Sequence, residues 1–144
     1  MQPSSEIQRW RALTGAERRL FAEAWLLLGL TKAGLMALPF GVLRGLLDRY
    51  GRRATRGNVR PEQAAWAVTA AARRLPGGAT CLPQALACNA MLRRRGYATR
   101  LHIGVAGRQG IAPSAAHAWV EMDDRVVIGD LADLARFFPL RPPT

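Results

Sequence analysis

The sequence predicts an α+β fold in which N-terminal helices are followed by a small antiparallel sheet. Three observations support this prediction: helix start and stop signals occur up to Gly96, the apolar residues alternate after it, and adjacent aspartates separate two strand-like runs near the C-terminus. A chain in which the helices come first and the strands last is typical of α+β domains. With 144 residues, 49% of them apolar, the chain has the length and composition of one globular domain.

Residues 1–60 are expected to form an N-terminal helical segment and a basic linker. Thr14 and Glu17 have the spacing of a capping box, which predicts a helix start. Residues 24–43 carry a single charge, Lys32, and a break at Pro39. A helix that is apolar on all faces is buried, lies on a membrane surface or spans a membrane. Lys32, two glycines and Pro39 weaken the case for a span, and a buried helix is favoured. A peripheral membrane contact through residues 24–43 and a true span stay open as alternatives.

Residues 61–144 are expected to form the core, within one compact unit with the first segment. Pro61 stands where proline is tolerated at a helix start, and Pro76-Gly77-Gly78 ends that helix. A second helix is closed by three arginines and Gly96. The runs YATRLHIGVAG, AHAWVEM and RVVIGD then alternate as strands do, and the last two form a predicted hairpin.

The charge and the cysteine content limit the function classes. The formal net charge is +11, and Lys32 is the one lysine among 21 basic residues. Such a field attracts polyanions, anionic membranes or acidic peptides. No nucleic-acid-binding module or basic patch interleaved with aromatic residues is recognisable, so nucleic acid is not an expected partner. Two cysteines make no disulfide framework and no secretory signal is visible, which favours the cytoplasm.

The two cysteines have different predicted roles. Cys81 follows the Pro-Gly-Gly turn and precedes Leu82-Pro83, and because the residue before a proline avoids helical geometry, the helix is expected to start near Pro83. Cys81 then lies at the helix N-terminus, where free amides and the helix dipole favour a thiolate. Cys88 lies mid-helix among alanines and leucines, as a buried thiol does. We therefore predict that Cys81 is a nucleophile.

The spacing of the predicted hairpin selects the partners of the nucleophile. If Asp123-Asp124 is a two-residue loop, His117 stands across from Asp130, whose carboxylate can orient the imidazole. The other histidine, His102, lies in an alternating strand, and Asp133 lies past the paired stretch as a solvated or capping carboxylate. The predicted catalytic triad is Cys81, His117 and Asp130. The same register places on one sheet face His117, Trp119, Glu121, Val126, Ile128 and Asp130.

A zinc site is the metal alternative. The chain offers four ligands of the right types, Cys81, Cys88, His102 and His117. Cysteines seven residues apart on one helix cannot both reach one ion without unwinding it. No metal and no cofactor are therefore expected.

Two motifs together resemble a known family. CLPQALACNAMLRRRGY and AHAWVEMDDRVVIGD are similar to the transglutaminase-like, papain-like leader peptidases of lasso-peptide biosynthesis, over about residues 60–140. The resemblance implies a papain-like core with a cysteine-bearing helix packed on a small antiparallel sheet, and it implies the triad roles for Cys81, His117 and Asp130. It implies a bacterial, cytoplasmic enzyme that cuts a ribosomally made precursor at the leader–core junction. An ATP-dependent macrocyclase would take the released core. Residues 1–60 are too few and too apolar for the leader-binding domain of larger family members, so the resemblance suggests a stand-alone peptidase with a separate leader-binding protein.

The sequence departs from the wider pattern at two places. Leu82 follows the cysteine where broader transglutaminase-like enzymes carry tryptophan, so acyl transfer to lysine is less supported. No glutamine stands between Gln63 and Cys81, which leaves Gln84 as a weak oxyanion-hole candidate beside the Cys81 amide. Two alternatives remain: another Cys-His-Asp acyl-transfer enzyme, either a general peptidase or a transglutaminase, and a basic module that binds membrane or nucleic acid.

Overall fold

A computed structural model of the chain describes residues 8, 11–55, 58–106, 115–130 and 137–139. Its main helices are α1 (Gly15–Ala37), α2 (Phe40–Arg52), α3 (Pro61–Arg74) and α4 (Cys81–Arg94). Its strands are β1 (Arg100–Ala106), β2 (Ala115–Met122), β3 (Arg125–Ile128) and β4 (Phe137–Pro139). They form one antiparallel sheet in the order β3-β2-β1-β4. The predicted α+β class is confirmed.

Local signals set the ends of α1. The Thr14 hydroxyl accepts a hydrogen bond from the Glu17 amide at 3.2 Å, and the Glu17 carboxylate accepts one from the Thr14 amide at 3.1 Å. This is the predicted capping box. The helix ends at Ala37, and α2 begins directly after Pro39. The break expected at this proline therefore separates two helices.

Helix α1 buries one stripe and exposes the other. Its buried residues follow helical spacing: Leu20, Ala24, Leu27, Leu28, Thr31 and Gly34. This stripe packs on α3 and α4. The helix is long and apolar enough to cross a membrane, and a third of its apolar window is buried inside the protein. One face of α1 is therefore buried in the core, and the other apolar face is exposed to solvent.

The side chain of Glu23 ties α1 to α2 and α4. Its carboxylate accepts hydrogen bonds from Tyr50 and from Arg95, the latter at 2.5 Å between Oε2 and Nη2. Burial alone would raise the pKa of Glu23, but the hydrogen bonds from Arg95 and Tyr50 and the charges of Arg95 and Arg94 outweigh it. The net effect lowers the pKa of Glu23.

Helix α4 lies at the centre of the molecule. It contacts the other three helices on one side and strands β1, β2 and β3 on the other. Nine of its residues are buried: Pro83 and the eight consecutive residues from Ala85 to Leu92. Several are alanines, whose small side chains let the neighbouring elements approach closely. The cysteine-bearing helix thus packs on a small antiparallel sheet, as expected.

The hairpin of β2 and β3 has the predicted turn but not the predicted register. Asp123 and Asp124 both have positive φ, 51° and 60°, as a two-residue type I′ turn requires. Beyond the first two pairs the register shifts, and Val120 pairs with Ile128. Such a β-bulge places one extra residue on β3 and turns the following side chains to the opposite face.

The bulge corrects the predicted sheet face. Ile128 belongs to the hydrophobic core with Ala118 and Val120, and does not share a face with Trp119. The paired stretch ends at Ile128, so the ladder does not set His117 directly across from Asp130. The physical reason is burial: the bulge lets the apolar Ile128 side chain reach the core.

Candidate active site

Cys81 is the first residue of α4. The preceding residue, Thr80, is extended, with φ −75° and ψ −178°, and its side chain makes no cap hydrogen bond. Amides at the start of a helix have no partner within the helix, and the dipole is positive there. Cys81 is partly exposed. The structure thus places this thiol at the helix N-terminus, in a position that favours a nucleophile.

Cys88 lies two turns further along α4, in the core. Its side chain is fully buried, and burial raises the pKa of the Cys88 thiol to about 12. It stays a protonated thiol at neutral pH. Within the described residues, no group of three histidine, cysteine or acidic side chains could hold a metal ion.

His117 lies near the start of β2 and contacts the chain that leaves β3. Its Nε2 is 2.5 Å from the carbonyl oxygen of Gly129. A carbonyl only accepts hydrogen bonds, so Nε2 must carry the proton, and in the neutral ring Nδ1 then holds the lone pair. The ring also stacks on Trp119, with 6.1 Å between centroids and 15° between planes. Both contacts fix the orientation of the imidazole.

Gly129 is a further residue of the site, and no sequence motif predicted its role. Its φ is +88°, and a Cβ there would lie 2.6 Å from the Ala118 oxygen and 2.9 Å from the Trp119 Cβ. Only glycine combines this φ with so close an approach to β2. That approach brings its carbonyl to His117. The available signal was an isolated glycine in a strand pattern, which marks a bulge or a close backbone contact.

One small pocket contains every predicted site residue. Its volume is about 200 Å³, and it is lined by Cys81, Gln84, Ala85, His117, Ala118, Ile128, Gly129 and Asp130. Asp130 is exposed at its rim. Asp133 lies outside the described residues. The pocket therefore brings the thiol, the imidazole and the carboxylate to one place by joining the start of α4 to the ends of β2 and β3.

Gln84 is in this pocket, in the first turn of α4. Its Nε2 donates a hydrogen bond to the Ala79 carbonyl oxygen at 2.9 Å. An amide nitrogen carries two hydrogens, so this bond uses one of the two. The geometry leaves Gln84 as a weak oxyanion-hole candidate.

His102 belongs to a different cluster. It stacks on Trp119, with 5.2 Å between centroids, and its Nε2 lies 3.3 Å from the Glu121 Oε2 in a contact without hydrogen-bond geometry. The Trp119 indole donates to Glu121 Oε1 at 3.0 Å. Trp119 therefore packs between His102 and His117, and His102 is not among the residues lining the pocket.

A larger cleft lies elsewhere. It measures about 600 Å³ and runs between the start of α1 and α3, with Leu13, Leu20, Gln63 and Trp66 among its lining residues. No cysteine or histidine lines it. We take the smaller pocket as the candidate active site because the nucleophile and the base converge there.

The family comparison agrees with this geometry. The family model described as transglutaminase-like superfamily matches residues 32–141, which include Cys81, His117 and Asp130. Members of this superfamily are typically cysteine-based enzymes, and the match indicates an acyl-transfer enzyme of the Cys-His-Asp type. No curated protein and no solved structure gives a significant match.

Proposed function

This chain belongs to the transglutaminase-like superfamily, and we propose that it is a cysteine peptidase that removes the leader from a ribosomally made lasso-peptide precursor. The observation that carries the proposal is the shared pocket of Cys81, His117 and Asp130. The choice of substrate is supported by the two sequence motifs around these residues, which are similar to those of lasso leader peptidases. The cytoplasm is the proposed compartment.

The proposed chemistry follows from the orientation of His117. Nε2 donates to Gly129, so Nδ1 is the nitrogen that takes the Cys81 thiol proton. The thiolate attacks the carbonyl carbon at the leader–core junction, and His117 gives the proton to the leaving amine of the core. A water molecule, deprotonated by His117, then hydrolyses the thioester and releases the leader. Asp130 at the rim stabilises the protonated imidazole.

The start of α4 is the proposed place for the developing oxyanion. The Cys81 amide is the donor that we assign, because it lies at the free N-terminal end of the helix. Gln84 is the weaker candidate, with one amide hydrogen already bonded to Ala79.

The proposed partners follow the sequence motifs. A separate leader-binding protein would deliver the precursor and raise the local concentration of the scissile bond at Cys81. An ATP-dependent macrocyclase would close the released core. The isolated chain is then a slow peptidase, and its rate on dilute precursor increases when the leader-binding protein is added.

The test is cleavage of a synthetic precursor, taken from the gene neighbourhood, followed by mass spectrometry. The Cys81→Ala variant should lose cleavage, whereas Cys88→Ala, the matched control on the same helix, should retain it, and EDTA should have no effect. Cleavage by Cys81→Ala would refute the proposal. Equal cleavage of unrelated peptides would indicate a general peptidase, and attachment of the peptide to an added amine would indicate a transglutaminase.

A further inference from the structure

The exposed residues of the second half of α1 and the first half of α2 are apolar. Between residues 25 and 46, every residue classed as exposed is apolar. We call these residues the α1–α2 surface: Trp25, Leu26, Leu30, Ala33, Met36, Ala37, Leu38, Pro39, Phe40, Gly41, Val42, Gly45 and Leu46. Met36 is 83% exposed and Leu30 is 69% exposed. The two helices are in contact, and a large exposed apolar patch on a soluble protein marks an interaction site.

The charged groups of α1 near this surface are bonded elsewhere. Lys32 donates to the carbonyl oxygens of Pro76 at 3.1 Å and Gly78 at 2.7 Å, which ties it to the turn before α4. Glu23 is held by Arg95. Lys32, the one charge within the apolar run of α1, therefore does not interrupt the exposed face.

Basic residues border the surface at the end of α2. Val42, Leu46 and Arg49 follow one another at helical spacing within α2, so they lie along a single face, and Arg53 directly follows the helix. Arg49 and Arg53 are exposed, and Arg52 beside them is exposed too. Asp48, the acid next to Arg49 in the chain, is 3.9 Å from an Arg93 nitrogen. An apolar face that continues into cations is complementary to an anionic, apolar layer.

We propose that the α1–α2 surface docks on anionic lipid membranes, with both helices lying in the interface. Charge complementarity favours this occupant, since the chain carries a net charge of +11 and the arginines border the apolar area. A protein interface forms about one hydrogen bond per 100–200 Å². The α1–α2 surface has no polar side chain to make one other than the Trp25 indole.

Helix α1 lies on the membrane in this arrangement and does not cross it. Its length and hydropathy would allow a span, but its other stripe is packed in the core, with Ala24 and Leu28 fully buried. Crossing would remove that stripe from α3 and α4. The docked state instead leaves the whole fold intact.

The test is flotation of the purified chain with lipid vesicles, in low salt and without any peptide substrate. The chain should float with vesicles of phosphatidylcholine mixed with phosphatidylglycerol, and poorly with phosphatidylcholine alone. Leu30→Glu should lower partitioning at least tenfold, because it inserts a charge into the apolar face. Trp66 is an exposed apolar residue on α3. The variant Trp66→Glu changes the net charge by the same amount and should partition onto the vesicles as the unaltered chain does. Arg49→Gln should lower partitioning onto the anionic vesicles about fivefold.

Three results would overturn the proposal. They are no flotation with either vesicle, equal flotation of Leu30→Glu and the unaltered chain, and a concentration-dependent dimer that Leu30→Glu abolishes without any vesicle binding. The last result would assign the surface to a second copy of the chain. Circular dichroism of all three variants checks that each of them is folded. Because no peptide is present, the outcome is independent of the proposed peptidase function.

Discussion

Replacing Gly129 by alanine should damage both the fold and the proposed active site. The new Cβ would meet the Ala118 oxygen at 2.6 Å and the Trp119 Cβ at 2.9 Å. The nearest atom belongs to the backbone and cannot rotate away, so the chain after β3 must move off β2. We expect about 1–2 kcal/mol from the unfavourable φ and about 1–3 kcal/mol from overpacking, measured as a loss in the free energy of unfolding in urea.

The same movement should disturb the base. The Gly129 carbonyl would leave the Nε2 of His117, and a misplaced catalytic group costs up to about 10²-fold in rate. We expect kcat on the precursor to fall about tenfold to a hundredfold, with a changed pH profile of kcat/KM. Rates are measured without denaturant and divided by the fraction of the protein that is folded.

Gly96→Ala is the matched control for this variant. Gly96 has nearly the same φ, +87°, but no atom of the described residues lies within 4 Å of the position of its Cβ. It should lose only the contribution of the backbone angle, about 1–2 kcal/mol, and keep its activity and pH profile. If Gly129→Ala is no less stable than Gly96→Ala and equally active, the close approach of Gly129 to His117 has no functional role.

Three further predictions concern the core and the site. Burial raises the pKa of Cys88 to about 12, so the thiol of the unfolded chain loses its proton at a lower pH than the thiol of the folded chain. Between about pH 8 and about pH 10 the free energy of unfolding should therefore fall by about 1 kcal/mol more in the unaltered chain than in Cys88→Ala. Glu23→Gln should lower the free energy of unfolding by roughly 3 kcal/mol at neutral pH, because Arg95 loses its charged partner. Folding lowers the pKa of Glu23, so this difference between the variant and the unaltered chain should vanish as the pH falls below the glutamate range, and a difference that stays constant in acid would contradict the prediction. Asp130→Asn should lower kcat on the precursor roughly tenfold or more and Asp133→Asn little; the reverse order would reassign the third member of the triad.

Local chemistry was sufficient to predict several elements from the sequence. Thr14 and Glu17 predicted the start of α1, and Asp123-Asp124 predicted the turn, because each of these signals acts within four residues. Cys81 was predicted at a helix start near Pro83, and the helix begins at Cys81 itself. The proline causes no break there because the first turn of a helix has amides without partners in any case.

Other features depend on contacts between distant residues and could not be predicted from local patterns. Strand alternation predicted one continuous register, whereas the bulge is decided by the burial of Ile128 and the backbone of Gly129. The apolar run of α1 gave no periodicity from which to select its buried stripe, so packing on α3 and α4 selects it. The pocket that joins Cys81 to His117 is likewise a product of helix–sheet packing.

The most direct test of the account is capture of the acyl-enzyme. The chain is mixed with the synthetic precursor, quenched in acid, digested and mapped by mass spectrometry. We predict the leader fragment attached to Cys81 through a hydroxylamine-sensitive thioester, with no adduct on Cys88 and none in the Cys81→Ala variant. Cleavage of the precursor without an adduct on Cys81, or with an adduct on another residue, would contradict the assignment of Cys81 as the nucleophile.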